Sequence, residues 1–461
     1  MYLELKKVST HNLKGFDVKI PLNKLVVVTG PSGSGKSSLV FDTLATLAEA
    51  RFKQLKDIGQ PLTPLIQTKG LLSGVVPPVI SLSQGVRDWF LYKNVSEILG
   101  LFSIISFLFY EKGKIKCPQC GSLNFFHTLR DLISWYNSLP ENTKFYFLLP
   151  LPESTPQALS YLISLGYTRF FINEREFDLS EEELPGSVKS LYLLLDRMVK
   201  EEKGLSRFLE NIRVAQNINR GTIILKLFEG ESFFFNLSHF CFQCGTFLLK
   251  EISRCKLCRG LGYKERKPCE RCQGLKLEAH YLESELFSTT LREICNFTLK
   301  EFKLFFEKNL SSLERETFQN VFLLLEKAAY FEIDNLKLST PVFELSLGER
   351  KLLEILTLFS FDLRGVLYLL DEPTLGLDEK KRKKLLTLIR ELMAMGNSFI
   401  VVEHDLEFIR EADFVIELGP GGGEKGGYLL YALPKKEYLK NKNTLIYPYL
   451  TRDPSFEKRP I

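Results

Sequence analysis

At 461 residues with 45% hydrophobic side chains, the chain can build two to four domains with sizeable cores, which excludes a disordered or low-complexity protein. Its 61 Lys and Arg against 56 Asp and Glu leave a net charge of +5, so any nucleic-acid surface has to be local. No apolar stretch reaches the roughly 20 residues of a membrane-spanning helix, and paired cysteines without a recognisable signal peptide point to a reducing compartment, so no membrane partner and a cytoplasmic location are expected.

Residues 1–116 open with strand-like alternation, and "KLVVVTG" then runs apolar into a glycine turn. "KSSLVFDTLATLAEARF" follows with helical spacing. Gly30, Pro31, Ser32, Gly33, Ser34, Gly35, Lys36 and Ser37 satisfy G-x-x-x-x-G-K-[ST] between strand and helix, the context the motif needs. Glycines let successive N–H groups wrap phosphates, and the helix start, from Ser38 onward, adds positive potential. Lys36 is expected to reach the outer phosphates of ATP, and Ser37 to ligate Mg²⁺. The apolar run at residues 98–110 ends in charged "EKGKIK" and reads as a buried helix.

A different composition begins at Cys117. Eight cysteines form four C-x-x-C pairs, Cys117/Cys120, Cys241/Cys244, Cys255/Cys258 and Cys269/Cys272, enough for about two closed, thiolate-only Zn²⁺ sites of structural type. The first two pairs resemble two knuckles of one ribbon, and the last two face each other across a hairpin. Zinc modules are therefore expected at residues 117–121 and 241–280, with an inserted domain at 122–240 between them. Cys295, unpaired, reads as a small core residue. Arg254, Lys256, Arg259, Lys264, Arg266, Lys267 and Arg271 surround the second group, spaced so that several can face nucleic-acid phosphates. A solvated loop accounts for them equally well.

Phosphate chemistry resumes after a helical segment at residues 281–360. In "FELSLGERKLLEIL", Ser346 followed by Glu349 is a capping box at a helix start. Residues 361–461 then hold two buried-strand patterns. "LYLLDEP" puts Asp371 and Glu372 at a strand's carboxyl end, where ligands sit in open parallel sheets; Asp371 suits the Mg²⁺ shell and Glu372 the polarising of attacking water. "IVVEHD" places His404 at the end of another, within reach of a γ-phosphate.

These elements stand in the chain order of the ATP-binding-cassette ATPases. The resemblance implies an α/β, P-loop NTPase fold split by a zinc-binding region and an inserted α+β domain. It also implies that Ser346, Gly348 and Glu349 close on ATP held by a second cassette, that Asp378 lies in the dimer-crossing loop, and that Gln84 in "VISLSQG" senses Mg²⁺ and water. Leu347 departs from the pattern, standing where the signature has its first glycine.

Within that class, "HNLKGFDVKIPLNKLVVVTGPSGSGKSSLVFDTL", "CPQCG", "CKLCRGLG", "PCERCQG", "LSLGE", "GVLYLLDEPTLGLD" and "IVVEHDLEFIREADFVIELGPGGGEKGG" resemble, in order, the UvrA family, the damage-recognition ATPase of bacterial nucleotide excision repair. The resemblance implies double-stranded DNA as partner, and an insert at 122–240 that docks the UvrB helicase. UvrA has two cassettes and this sequence shows one, so a homodimer, or a heterodimer with another cassette, is expected. A non-repair cassette ATPase with a ribosomal or protein client, a drug self-resistance protein, and a degenerate ATP-binding partner of a full-length relative remain open alternatives.

Overall fold

Leu25–Thr29, Leu367–Asp371 and Ser398–Val402 are buried at every residue, which leaves them no polar face and suits only the interior of a sheet covered on both sides. They form the centre of a six-stranded sheet in the order Tyr428–Pro434, Phe414–Gly419, Leu25–Thr29, Ser398–Val402, Leu367–Asp371, Val79–Leu82. Every pairing in it is parallel except that of the Tyr428–Pro434 edge strand. The structure, a computed structural model, describes residues 1–56, 69–82, 91–151, 156–188, 190–360 and 363–450. This sheet belongs to the first of two units, Met1–Leu101 with Phe297–Ile461.

Both faces of the sheet are accounted for. Val26, Val28, Leu367, Leu369, Ile400 and Val402 pack with Leu39, Val40 and Leu44 of the helix after the phosphate loop. The same core takes in Leu3, Leu5, Val18 and Ile20 from an antiparallel sheet ordered Phe16–Pro21, Tyr2–Val8, Leu71–Gly74. On the opposite side Val27 and Val415 meet Ile409, Ala412 and Tyr438. Tyr368 stacks on Phe399 at 4.9 Å between ring centroids, with Phe359 of the Leu347–Phe359 helix edge-on at 5.2 Å to Tyr368. Parallel strands that are continuous apolar runs thus end together at one edge, which is where the phosphate loop, Asp371 and the residues after Val402 emerge.

The second unit, Phe102–Asn296, is centred on a six-stranded, wholly antiparallel sheet ordered Arg175–Asp178, Arg169–Ile172, Leu191–Val199, Lys144–Pro150, Thr222–Leu227, Ser232–Asn236. Its period-two alternation sends Phe145, Phe147, Leu149, Ile223 and Leu225 to one face, against Leu132, Tyr136, Phe208 and Ile212 of the helices Leu129–Ser138 and Leu205–Asn219. Leu148, Phe171 and Leu194 form a smaller cluster with Tyr146, Tyr192 and Ile224. The unit is α+β.

Two sequence expectations need correction here. The apolar run at 98–110 contains the helix Leu101–Lys112, but only one side of it is buried. Ile105, Leu108 and Phe109 are inside, whereas Phe107 is 56% exposed and Tyr110 is also exposed. Cations cover part of the outer side, Arg254 lying 4.2 Å from the Phe102 ring centre and Lys250 Nζ 4.4 Å from that of Tyr110. An aromatic can occupy an outer helical position at little cost when an amphipathic cation lies across it. Cys295, on the helix Leu291–Asn296, is half-buried rather than a core residue.

Candidate nucleotide-binding site and cysteine clusters

The phosphate loop leaves the Leu25–Thr29 strand at Gly30 and winds into a helical stretch, Ser38–Ala45, continued by Thr46–Lys56. Lys36 is only 7% exposed, and its Nζ donates to the carbonyls of Gly30 at 3.0 Å and Pro31 at 2.9 Å, so the ammonium hangs over the loop that carries it. Burial holds its pKa below the usual lysine value, against the nearby carboxylates of Glu372 and Asp371, which favour the charge. Ser37 Oγ donates to Asp371 Oδ2 at 3.4 Å, joining the helix start to the end of the Leu367–Asp371 strand. A hydroxyl and a carboxylate so placed are the hard oxygen donors that Mg²⁺ takes beside a phosphate.

One residue on, Glu372 adopts a left-handed backbone, φ 41°, rare for a side chain that is not glycine. Its N–H donates to Val402 O at 2.9 Å, which fixes the turn to the neighbouring strand. Such strain persists where surrounding bonds over-determine it, commonly at functional sites. The Glu372 carboxylate is turned toward the next strand end, with Oε1 3.9 Å from His404 Nε2. Burial first, and Lys36 second, lower the His404 pKa below its ordinary value, with Glu372 opposing them.

The remaining candidates lie at helix starts. Ser346 Oγ accepts from the Glu349 N–H at 3.3 Å while Glu349 Oε2 accepts from the Ser346 N–H at 2.8 Å, a complete capping box for Leu347–Phe359. Leu347 is 51% exposed. Gly348 is buried against the Gly376 carbonyl, where an added Cβ would come within 2.3 Å, so this position admits no side chain. Asp378 caps Glu379–Ala394, its Oδ1 accepting from Lys381 N–H at 2.8 Å. Gln84 lies outside the described residues.

Three contributors escaped the sequence reading. Lys351, buried on the Leu347–Phe359 helix, donates to Asp371 O at 3.3 Å. Glu403 accepts from the N–H groups of Thr374 (3.0 Å), His404 (2.8 Å) and Asp405 (3.1 Å), binding the segment after Glu372 to the segment that carries His404. Asn12 reaches the phosphate loop from the N-terminal sheet, Nδ2 donating to Gly33 O at 2.9 Å. A charged residue on an otherwise apolar helix face was the one available signal, and only for Lys351.

In the second unit the four pairs of cysteines assemble as two groups of four, Cys117, Cys120, Cys241 and Cys244, then Cys255, Cys258, Cys269 and Cys272, with all Sγ atoms of a group within 4.8 Å of one another. Cys117 to Cys244 and Cys120 to Cys241 are 3.5 Å apart, and Cys258 to Cys272 is 3.7 Å. Zn–S bonds of about 2.3 Å put tetrahedral thiolates roughly 3.8 Å apart, so both groups fit that ion. The first two knuckles turn alike: Cys117 N–H donates to Ser122 O and Cys241 N–H to Thr246 O, each at 2.8 Å. In the second group Tyr263–Lys264 pairs with Lys267–Pro268 through a two-residue turn, Glu265 and Arg266 both at positive φ, as a tight antiparallel hairpin requires. Lys256, Arg259, Lys264, Arg266 and Lys267 are exposed around it. Arg271 is engaged with Glu278 at 2.6 Å and Arg254 lies over Phe102, so these two already have partners within the unit.

Residues 277–410 match a family described as an AAA domain, putative AbiEii toxin, Type IV TA system. UvrABC system protein A of Clostridium tetani is 24% identical over 97% of this chain and 63% of its own length. The Bacillus subtilis protein of the same name is also 24% identical, over 97% and 61%, so the chain spans less than two thirds of these relatives. The crystal structure of UvrA2 from Deinococcus radiodurans superposes with a TM-score of 0.55 at 22% identity, covering 100% of this chain and 59% of that one, which supports the same fold. The chain is thus similar in sequence to UvrABC system protein A along nearly its whole length, and it has the fold of the part of UvrA2 that it covers.

Proposed function

We propose that the chain is a Mg²⁺-dependent ATP hydrolase that couples turnover to binding double-stranded DNA in excision repair of damaged DNA, from the cytoplasm. The observation that carries this reading is the convergence of Lys36, the Ser37–Asp371 pair and the strained Glu372 beside His404 at one sheet edge. Lys36 neutralises charge on the outer phosphates, and residues 30–38 cradle them with backbone donors. Ser37 and Asp371 are the groups that would hold Mg²⁺, which would supply positive charge to offset that on the phosphates. Glu372 takes a hydrogen bond from the attacking water, while neutral His404 contacts the γ-phosphate and steadies the Glu372 carboxylate.

In this reading the signature at Ser346, Gly348 and Glu349, with Asp378 after it, serves a second cassette, either another copy of this chain or a related one. The two cysteine groups hold structural Zn²⁺. The exposed Lys264, Arg266 and Lys267 contact DNA phosphates, and residues 122–240 dock a UvrB-like helicase. Among the described residues no helix is long and apolar enough to cross a membrane.

Glu372→Gln decides the core of the proposal. It keeps the shape of the side chain and removes the base, so ATP binding should persist while turnover falls about a hundredfold or more. The same variant with ATP should hold duplex DNA tightly at low salt and lose it steeply between about 50 and 200 mM salt as counterions are released. Unchanged turnover removes Glu372 from the chemistry; absence of duplex binding at low salt removes DNA from the function.

A further inference from the structure

A second glycine-rich segment, "GPGGGEKGG" at residues 419–427, joins the Phe414–Gly419 and Tyr428–Pro434 strands and lies against the phosphate loop. Gly423 N–H donates to Gly33 O at 3.0 Å and Gly427 N–H to Ser34 O at 3.1 Å. Asn12 Nδ2 donates to the same Gly33 carbonyl and, at 3.4 Å, to Gly423 O, while Lys14 N–H donates to Gly427 O at 2.9 Å. Phosphate loop, glycine turn and the residue 12–14 loop therefore close a ring of hydrogen bonds. The approach is too tight for a side chain at Gly422, where a Cβ would stand 2.4 Å from Ser32 O although the backbone there, φ −102°, suits any residue.

In a trans peptide the C=O and the following N–H point in opposite directions. A carbonyl of Ser34 held outward by Gly427 therefore turns the Gly35 N–H inward, whereas the Ser34 N–H, on the peptide of the clamped Gly33 carbonyl, donates to Pro31 O at 3.1 Å and closes the loop on itself. Bonding at the carbonyl also polarises each peptide and strengthens its N–H as a donor.

We propose that residues 421–427 and Asn12 form a positioning clamp that holds the outer carbonyls of the phosphate loop and so presets its inward Gly35 N–H for the phosphates of the nucleotide. The clamp touches the loop and not the reacting atoms, so it sets affinity for the phosphate chain more than the rate of the chemical step. The inference rests on the ATPase reading above.

The test uses the full chain with Asn12→Asp, which is isosteric but turns an acceptor toward two carbonyls, and Gly422→Ala, whose only fault is contact with Ser32 O. ADP affinity by calorimetry, steady-state ATP hydrolysis and thermal midpoint are measured together. Loss of the Asn12 bonds, or displacement of the turn from Ser32 O by the Gly422→Ala methyl, should raise the ADP Kd and the ATP KM about tenfold, with kcat within about threefold of wild type and a thermal midpoint within a few degrees. Values of Kd and KM within twofold of wild type in Asn12→Asp, or a fall in kcat at constant KM in either variant, overturn the clamp. Wild-type protein that neither binds ADP nor hydrolyses ATP overturns the ATPase reading instead, and the clamp with it, before any substitution is made.

Discussion

His404 shows how burial and charge choose a protonation state at the site. Partial burial first, and the charge of Lys36 second, push the pKa of the half-exposed imidazole below its ordinary value, with Glu372 opposing them, so it is neutral at physiological pH and can accept or donate one hydrogen bond. A depressed histidine pKa means that the unfolded chain takes up a proton first as pH falls, so this residue's stabilising effect is complete above about 6.5 and is lost as pH drops from there toward the folded pKa. His404→Gln should therefore show a shallower loss of thermal midpoint than wild type below pH 6.5 and no difference in slope above pH 7. An NMR titration placing the wild-type imidazole at or above 6.5 would contradict this. What could be read from sequence at this scale follows from locality. Asp371 ends an apolar strand pattern, His404 follows one by two residues and Lys36 closes the glycine loop after a third, so position along the strands fixes which edge they reach. Asn12, Lys351 and Glu403 act through partners brought near by the tertiary fold, and no periodicity announces that Asn12 will meet Gly33.

At the scale of elements, the strands of the first unit were legible because burial on both faces leaves uninterrupted apolar runs, and the C-x-x-C knuckles because their spacing follows the geometry of one ion. The six-stranded sheet of the second unit was less so. Its strands alternate, and its pairing order depends on which hairpins and crossovers close, which composition does not encode. Hydropathy does not distinguish a core aromatic from one roofed by a cation, so the run at 98–110 reads as a buried helix although the Leu101–Lys112 helix is exposed on one side. The knuckles carry a prediction of their own. Elemental analysis should find close to two Zn²⁺ per chain, with Cys117→Ser and Cys255→Ser each removing about one, since every thiolate in a closed site is required. Equal metal content in wild type and both variants would reject the assignment. Chelation should unfold the Tyr263–Lys264 hairpin, whose two strands are too short to persist without the metal.

For the whole molecule the question is how a cassette with one phosphate loop among its described residues completes a site. The helix that Ser346 caps has its N-terminal donors and an exposed Leu347 at its first turn, and Gly348 locks this turn to Gly376, two residues before Asp378. The start of the Leu347–Phe359 helix and the segment before Asp378 are thus packed against each other, so the proposed closure on a second cassette would present both. In the resembled ATPases a glycine stands where Leu347 is, and the backbone there comes close to the γ-phosphate. A half-exposed leucine keeps the donors and the serine but adds bulk at the approach. Two-fold pairing of identical chains, the commonest closed arrangement, would build both ATP sites at once and would therefore feel that bulk twice. Leu347→Gly should tighten ATP-dependent dimerisation of the Glu372→Gln protein by about tenfold, judged by sedimentation. It should also lower the thermal midpoint by a few degrees, because glycine costs a helix roughly 1 kcal/mol relative to better formers. If the leucine instead supplies apolar contact to the second cassette, the same variant will dimerise more weakly than its parent. The sign of the change thus assigns Leu347 either to hindrance or to adhesion, and a chain that stays monomeric with and without ATP in both backgrounds would show that the second cassette is not a copy of this one.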